Sequence, residues 1–159
     1  MERVIKKLIN DNKTISTMES CTGGGLANAI TNIPDASRVI KYSAVTYSNE
    51  FKIKMGVSEE LINKYSVYSM EVARDMAKKI SMFADSTYGV GITGKLKKAD
   101  PSNLNGENDV VCMSIYDSLN NEYHDSEIKV HYDTREENKQ EVIETFISKF
   151  LEMTKEHTR

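Results

Sequence analysis

Apolar residues recur along the chain with two periods, one typical of helices and one typical of strands. A helical stripe opens the chain over residues 2–11, and the clearest one closes it over 134–156. The β-branched segments 14–18 and 38–47 and the apolar segment 87–92 predict strands between them. Because these strands are separated by helical segments, the pattern predicts an α/β layer sandwich.

The remaining pattern completes a single domain over residues 1–159. Further helices are predicted at 26–30, at 49–55, and from Ser58 and Ser69 onward, where serine or asparagine can cap the first turn. Residues 109–117 and 122–132 are predicted to form a strand pair joined near Asn120-Asn121. The segment 94–108 has no clear period, and loops of that length are often functional.

Composition and charge exclude several classes of binding partner and location. The 159 residues carry 21 basic and 24 acidic side chains, a net charge of −3, so nothing indicates a nucleic-acid partner. No apolar run approaches the roughly 20 residues of a membrane span. The charged N terminus lacks the apolar run of a signal peptide, which predicts a cytoplasmic protein with Cys21 and Cys112 as reduced thiols. The histidines have no metal-ligand spacing, so no metal is expected.

The most distinctive string is Glu19-Ser20-Cys21-Thr22-Gly23-Gly24-Gly25, between a predicted strand and a predicted helix. Glycines there would let backbone N–H groups bind an anion or an oxyanion beside a nucleophile. The alternative is a hydrophilic turn in which serine or threonine caps the helix. Either Ser20 or Cys21 could be the nucleophile, because a thiol near a helix N terminus is reactive but free cysteines are also common in cores.

A second polar cluster, Thr46-Tyr47-Ser48-Asn49-Glu50-Phe51-Lys52, lies at the next strand-to-helix junction. The carboxyl ends of strands in an α/β sheet share one edge, so Lys52 could meet Ser20 there. A lysine base requires a pKa near 7–8 instead of about 10.4, which demands a special environment. The alternative is an ordinary solvated helix residue.

Three further features could contribute at the same edge. Thr93-Gly94 ends the third strand, where the hydroxyl could orient a ligand or cap a turn. Arg135 and Lys139 lie four apart on the last helix and could face one anion, although ion pairing with neighbouring glutamates is an alternative. Lysines of the following loop could contact a phosphate or be solvated: Lys95, Lys97 and Lys98.

Taken together, these strings resemble the CinA C-terminal domain family, also known as nicotinamide-nucleotide amidohydrolase. The resemblance covers the whole chain, and it leads us to expect a stand-alone form without the family's N-terminal partner domain. It rests on the ESCTGG and TYSNE-x-K strings and on shorter matches at Gly56-Val57, Val72-Ala73, Met76-Ala77 and Thr93-Gly94.

The resemblance implies a three-layer α/β/α sandwich around a mixed sheet that often forms homo-oligomers. It also implies deamidation of nicotinamide mononucleotide to the nicotinate nucleotide and ammonia, with neither metal nor cofactor. Ser20 then becomes the nucleophile, Lys52 its base, and Tyr47 and Thr93 positioning groups. The implied substrate-binding set is Glu19, Cys21, Thr22, Gly23, Gly24, Ser48, Asn49, Gly94, Arg135 and Lys139.

The chain departs from the family pattern after Thr93-Gly94. The family continues with a glycine-rich Ile-Ala-Gly-Pro-Gly-Gly string, whereas this chain has Lys95-Leu96-Lys97-Lys98. The second arginine that the family tends to show in the last helix is Lys139 here, which supplies charge without a bidentate fork. These differences leave an alternative expectation: a binding module of the same fold that retains the nucleotide pocket without turnover.

Overall fold

The computed structural model describes residues 1–97 and 107–155. In chain order, these residues form the following helices and strands: α1 (Glu2–Asn10), β1 (Ile15–Glu19), α2 (Gly25–Thr31), a 3-10 turn (Ala36–Arg38), β2 (Ile40–Val45), α3 (Asn49–Lys54), α4 (Glu59–Tyr65), α5 (Met70–Ala84), β3 (Tyr88–Gly94), β4 (Val110–Asp117), β5 (Glu122–Lys129) and α6 (Arg135–Met153).

The strands form one mixed sheet in the order β2-β1-β3-β4-β5. β1 pairs in parallel with both β2 and β3, whereas β4 is antiparallel to β3 and to β5. The carboxyl ends of the three parallel strands therefore share one edge, as the sequence predicts. The hairpin between β4 and β5 is confirmed, and its turn uses a positive φ of 52° at Asn121.

Helices cover both faces of the sheet, which confirms the predicted α/β/α sandwich. On one face α1, α2 and α6 pack on the sheet through a core that includes Leu8, Leu26 and Phe146. On the other face α4 and α5 pack around Met18 and Met76. No helix within the described ranges is long and apolar enough to cross a bilayer.

Two glycines in β3 allow α5 to approach the sheet closely. A Cβ at Gly89 would lie 2.0 Å from the Ala77 carbonyl oxygen, and one at Gly91 would lie 2.1 Å from that of Ala73. Any larger residue would push the helix away from the strand. This contact fixes the layer that lies beside the carboxyl end of β3.

The predicted elements differ from the observed ones mainly at their ends. The strand predicted over 38–47 is β2, which a 3-10 turn precedes and which ends at Val45. The segment 122–132 leaves the sheet after Lys129, and the last helix begins at Arg135 because Thr134 caps it. Most of the loop predicted over 94–108, including Lys98, and the predicted helix end at 156 lie outside the described residues.

Candidate active site

The pairing of the parallel strands brings three hydroxyl-bearing residues side by side. Glu19 pairs with Val45 on one side and with Ile92 on the other. The ladder continues one residue further, because the Thr46 amide donates to the Glu19 carbonyl at 2.8 Å and the Ser20 amide to the Ile92 carbonyl at 3.0 Å. Thr46, Ser20 and Thr93 therefore lie next to one another at the carboxyl edge, on the sheet face that α5 covers.

Lys52 completes this group from α3. Its side chain is 2% exposed, and its Nζ lies 3.0 Å from Ser20 Oγ and 2.8 Å from the Thr46 carbonyl oxygen. The Ser48 hydroxyl caps α3 by accepting from the Phe51 amide, and Lys52 follows in the same turn. The structure thus brings together the serine and the lysine that the sequence predicted as nucleophile and base.

The environment of Lys52 suits a base. Burial lowers the pKa of Lys52 from 10.5 to about 8, and a thiolate at Cys21 would act in the opposite direction. Burial also raises the pKa of Cys21 to about 12, so its thiol is protonated near neutrality and burial dominates at Lys52. A pKa of about 8 leaves part of the Lys52 population neutral and able to accept a proton.

Cys21 lies on the other side of the chain from Ser20. It is 5% exposed and packs in the core formed with α1, α2 and α6. A protonated, buried thiol is a poor nucleophile. Of the two alternatives that the sequence left open, the geometry favours Ser20.

Glu19 is the anion at the N terminus of α2. One of its carboxylate oxygens accepts from the Leu26 amide at 2.8 Å and from the Thr22 hydroxyl at 2.7 Å, and the other accepts from the Ala27 amide at 3.0 Å. Glu19 and Thr22 are almost fully buried. The structure therefore places both residues in the support of the loop, and the helix donors expected to bind a ligand are already occupied.

The backbone between Ser20 and Gly24 forms a tight turn after β1. The Gly23 amide donates to the Ser20 carbonyl and the Gly25 amide to that of Thr22. Within residues 1–97 and 107–155, the Thr22 amide has no hydrogen-bond acceptor, whereas the Cys21 amide interacts with its own sulfur. The positive φ angles of Gly23 and Gly24, 59° and 94°, form the turn that follows these amides.

Thr93 and Gly94 lie at the carboxyl end of β3, next to Ser20. Thr93 is fully buried and donates its hydroxyl proton to the Val67 carbonyl at 2.7 Å, so its oxygen can only accept from a ligand. A Cβ at Gly94 would lie 2.5 Å from Val111 Cα. Both residues hold the edge of the sheet against its neighbours.

A cationic rim lies on the α6 side of the edge. Arg135 Nη2 donates to the Tyr47 hydroxyl at 3.1 Å, and both side chains are exposed. Lys139 Nζ lies 3.6 Å from the position that a Cβ on Gly23 would occupy. Asn49 is exposed at the start of α3. The predicted anion-binding residues therefore lie at the surface, beside the glycine turn.

Two further residues at this edge, Thr46 and Lys95, have unusual surroundings in the structure. The Thr46 hydroxyl is buried and has no hydrogen-bond partner among the described residues. Lys95, which a solvated loop would expose, is 4% exposed with its Nζ 4.8 Å from the centre of the Tyr68 ring. Thr46 had a signal in the sequence, because it follows β2 as Ser20 follows β1. The burial of Lys95 had no signal in the sequence.

In the described part of the chain, no three His, Cys, Asp or Glu side chains lie close enough to hold a metal ion.

Known proteins resemble this chain in sequence and in fold. A CinA-like protein of Endomicrobium trichonymphae is 46% identical over 88 residues, which are 55% of this chain and 21% of that protein. The crystal structure of the competence/damage inducible protein CihA from Agrobacterium tumefaciens has a TM-score of 0.78 and 26% identity, covering 93% of this chain and 94% of that one.

A second solved structure extends the likeness in fold. A CinA superfamily protein from Klebsiella pneumoniae has a TM-score of 0.87 at 21% identity, covering 96% of this chain and 94% of that one. The chain spans about a fifth of the length of the curated Endomicrobium relative. The CinA C-terminal domain family matches residues 1–157, and the chain therefore belongs to that family.

Proposed function

We propose that the chain is an amidohydrolase that deamidates nicotinamide mononucleotide. The contact between Lys52 Nζ and Ser20 Oγ, at 3.0 Å, carries the proposal. A buried amine whose pKa is about 8 and which lies in hydrogen-bond distance of a serine is the arrangement that a serine nucleophile requires. Family membership and the ESCTGG and TYSNE-x-K strings support the same activity.

Acylation is the first half of the reaction. Neutral Lys52 takes the proton of the Ser20 hydroxyl while Ser20 Oγ attacks the carboxamide carbon. The carbonyl oxygen becomes an oxyanion, which the Thr22 amide, without an acceptor in the described chain, can stabilise. The tetrahedral intermediate then breaks its C–N bond, and protonated Lys52 gives its proton to the departing nitrogen. The products are ammonia and an ester that joins the nicotinate nucleotide, through its carbonyl carbon, to Ser20 Oγ.

Hydrolysis of that ester completes the cycle. A water molecule loses a proton to Lys52 and attacks the ester carbon, and Ser20 Oγ leaves and recovers the proton from Lys52. The net change is one carboxamide and one water converted to one carboxylic acid and one ammonia. Lys52 and Ser20 return to their starting states.

The surroundings of the pair support a nucleotide as substrate. Arg135 and Lys139 place positive charge beside the glycine turn, where an anionic nucleotide would be attracted. Tyr47, whose hydroxyl accepts from Arg135, offers an exposed ring against which a flat heterocycle can stack. We expect Tyr47 to position the substrate.

The test compares two neighbouring substitutions. Ser20→Ala should lower ammonia release from nicotinamide mononucleotide at least 1,000-fold, because the acyl intermediate can no longer form. Cys21→Ala is the matched control and should keep the rate within about threefold, although the cavity it leaves should cost about 1–2 kcal/mol in the free energy of unfolding.

Two results would contradict the proposal. Unchanged turnover in Ser20→Ala would exclude Ser20 as the nucleophile. Stabilisation of the wild-type protein by the nucleotide against heat, with no ammonia released, would instead identify the alternative of a binding module without turnover.

A further inference from the structure

A second buried lysine lies at the same edge of the sheet as the Ser20–Lys52 pair. Lys95 follows β3, and its amide donates to the Val110 carbonyl at 3.1 Å, which continues the β3–β4 ladder by one residue. Lys95 therefore keeps the strand alternation and lies on the same face as Thr93. Its side chain is 4% exposed.

The positive charge of Lys95 has no counter-ion in the described part of the chain. Its Nζ lies over the Tyr68 ring, 4.8 Å from the ring centre, and within residues 1–97 and 107–155 it makes neither a hydrogen bond nor an ion pair. Lys97, two residues later, is exposed and pairs with Asp133 at 3.5 Å. A cation over an aromatic face is stabilised only modestly, and a buried charge normally needs an anion.

The surroundings hold Lys95 and Tyr68 in place. The hydroxyl of Thr93 donates to the carbonyl of Val67, the residue before Tyr68, at 2.7 Å. The Cys112 sulfur lies 3.9 Å from the Tyr68 carbonyl oxygen. The backbone of Val67 and Tyr68, which carries the ring under the ammonium, is thus held to β3 and β4 by two contacts, which makes the arrangement a preformed one.

The register places Lys95 within reach of a substrate bound at Ser20. Ser20 lies beside Thr93 on the neighbouring strand, about 5 Å away, and Lys95 is two residues, or about 7 Å, further along. A ligand whose amide meets Ser20 and that extends outward past the strand end would place an anionic group beside Lys95.

We propose that Lys95, held over Tyr68, is a specificity-determining residue that binds the phosphate monoester of the substrate. The inference rests on the proposed function, because it takes Ser20 as the point where the amide binds. Lys95 is better suited to this role than the exposed Arg135, because water and salt screen an exposed charge far more than a buried one.

The experiment compares two substrates that differ only in the phosphate. With nicotinamide mononucleotide, Lys95→Met should raise KM roughly 10- to 100-fold and change kcat less than threefold, because it removes an ion pair formed equally in ground and transition states. With nicotinamide riboside, which lacks the phosphate, KM should not change. Lys95→Arg keeps the charge and should recover most of the loss. Lys97→Met is the matched control and should leave both substrates unaffected.

A binding measurement separates failure of this inference from failure of the proposed function. The dissociation constant of nicotinamide mononucleotide is measured by calorimetry in Ser20→Ala, with and without Lys95→Met, which needs no turnover. A 10- to 100-fold weakening supports the phosphate role even if the wild type releases no ammonia. Equal binding with and without Lys95 would overturn the inference, as would an equal KM increase for the riboside or a loss seen only in Lys139→Met.

Discussion

The two sides of the chain at the end of β1 have opposite characters. On the side of α2, Glu19 and Thr22 are buried and hydrogen-bonded to each other and to the start of the helix, and Cys21 is buried in the core. On the side of α5, Ser20 meets a lysine with a lowered pKa and the Thr46 hydroxyl has no partner within the described residues. Residues 19–22 therefore form buried structural contacts on one side of the chain and present a reactive group on the other.

The difference between the two sides follows from the alternation of side chains along a strand. Successive side chains of a strand point to opposite faces, so neighbours in the sequence take unrelated roles. Glu19 neutralises the N terminus of α2 and holds the turn, which leaves Ser20 fixed but available. On the reactive side, burial makes the Lys52 amine difficult to protonate, which destabilises the fold.

The largest expected effect separates activity from stability at Lys52. Lys52→Met should lower ammonia release from nicotinamide mononucleotide by about 100- to 10,000-fold, because the base is lost. The same change should raise the free energy of unfolding by about 1–3 kcal/mol at pH 7, because methionine fills the space without a charge to desolvate. Urea unfolding and an ammonia assay on the same preparation measure both quantities.

The pH dependence of wild-type stability tests whether the ionisation of Lys52 causes this difference. Its pKa is about 8 when folded, against 10.5 as the ordinary value, so the unfolded chain binds the extra proton first as the pH falls. As the pH falls from 10.5 to 8, the free energy of unfolding of the wild type should decrease. Below pH 8, the difference in this free energy between the wild type and Lys52→Met should be constant. The wild-type kcat/KM should rise with pH up to about 8. A gap that is the same at pH 7 and pH 10.5 would contradict the assigned ionisation.

A smaller effect is expected on the structural side. Glu19→Gln should lower the free energy of unfolding by about 2–4 kcal/mol, because an amide N–H₂ would face donors that now bind a carboxylate oxygen. Glu50→Gln, whose carboxylate pairs with Lys54 on the exposed surface of α3, should change it by less than about 0.5 kcal/mol. Equal costs in the two variants, measured by urea unfolding, would show that the Glu19 contacts contribute little.

The smallest effect compares two threonines at the same edge. Thr46→Val removes a buried hydroxyl without a partner in the described chain and should stabilise the fold by about 1 kcal/mol. Thr93→Val removes a hydroxyl that is hydrogen-bonded to Val67 and should destabilise it by a similar amount. Thermal unfolding of both variants tests the contrast, and a destabilised Thr46→Val would mean that its hydroxyl has a partner in solution.

Much of the fold could be predicted from local patterns. The stripe of α6, the β4–β5 hairpin and the order of strands and helices follow from periodicity and turn residues, which act over a few positions. The predicted ends differ from the observed ones at the last helix, which begins after the Thr134 cap, and at β2, which a 3-10 turn precedes. At the site, Ser20 and Lys52 could be proposed from the sequence, but the choice between Ser20 and Cys21 could not.

The sequence by itself determined the alternation of strands and helices, the polar strings at the ends of β1 and β2, and the family resemblance they carry. Only the tertiary structure decided which side chains are buried together: Lys52 against Ser20, Glu19 against α2, and Lys95 over Tyr68. The physical reason is that desolvation and strand register depend on segments far apart in the chain, whereas propensity and periodicity depend on near neighbours.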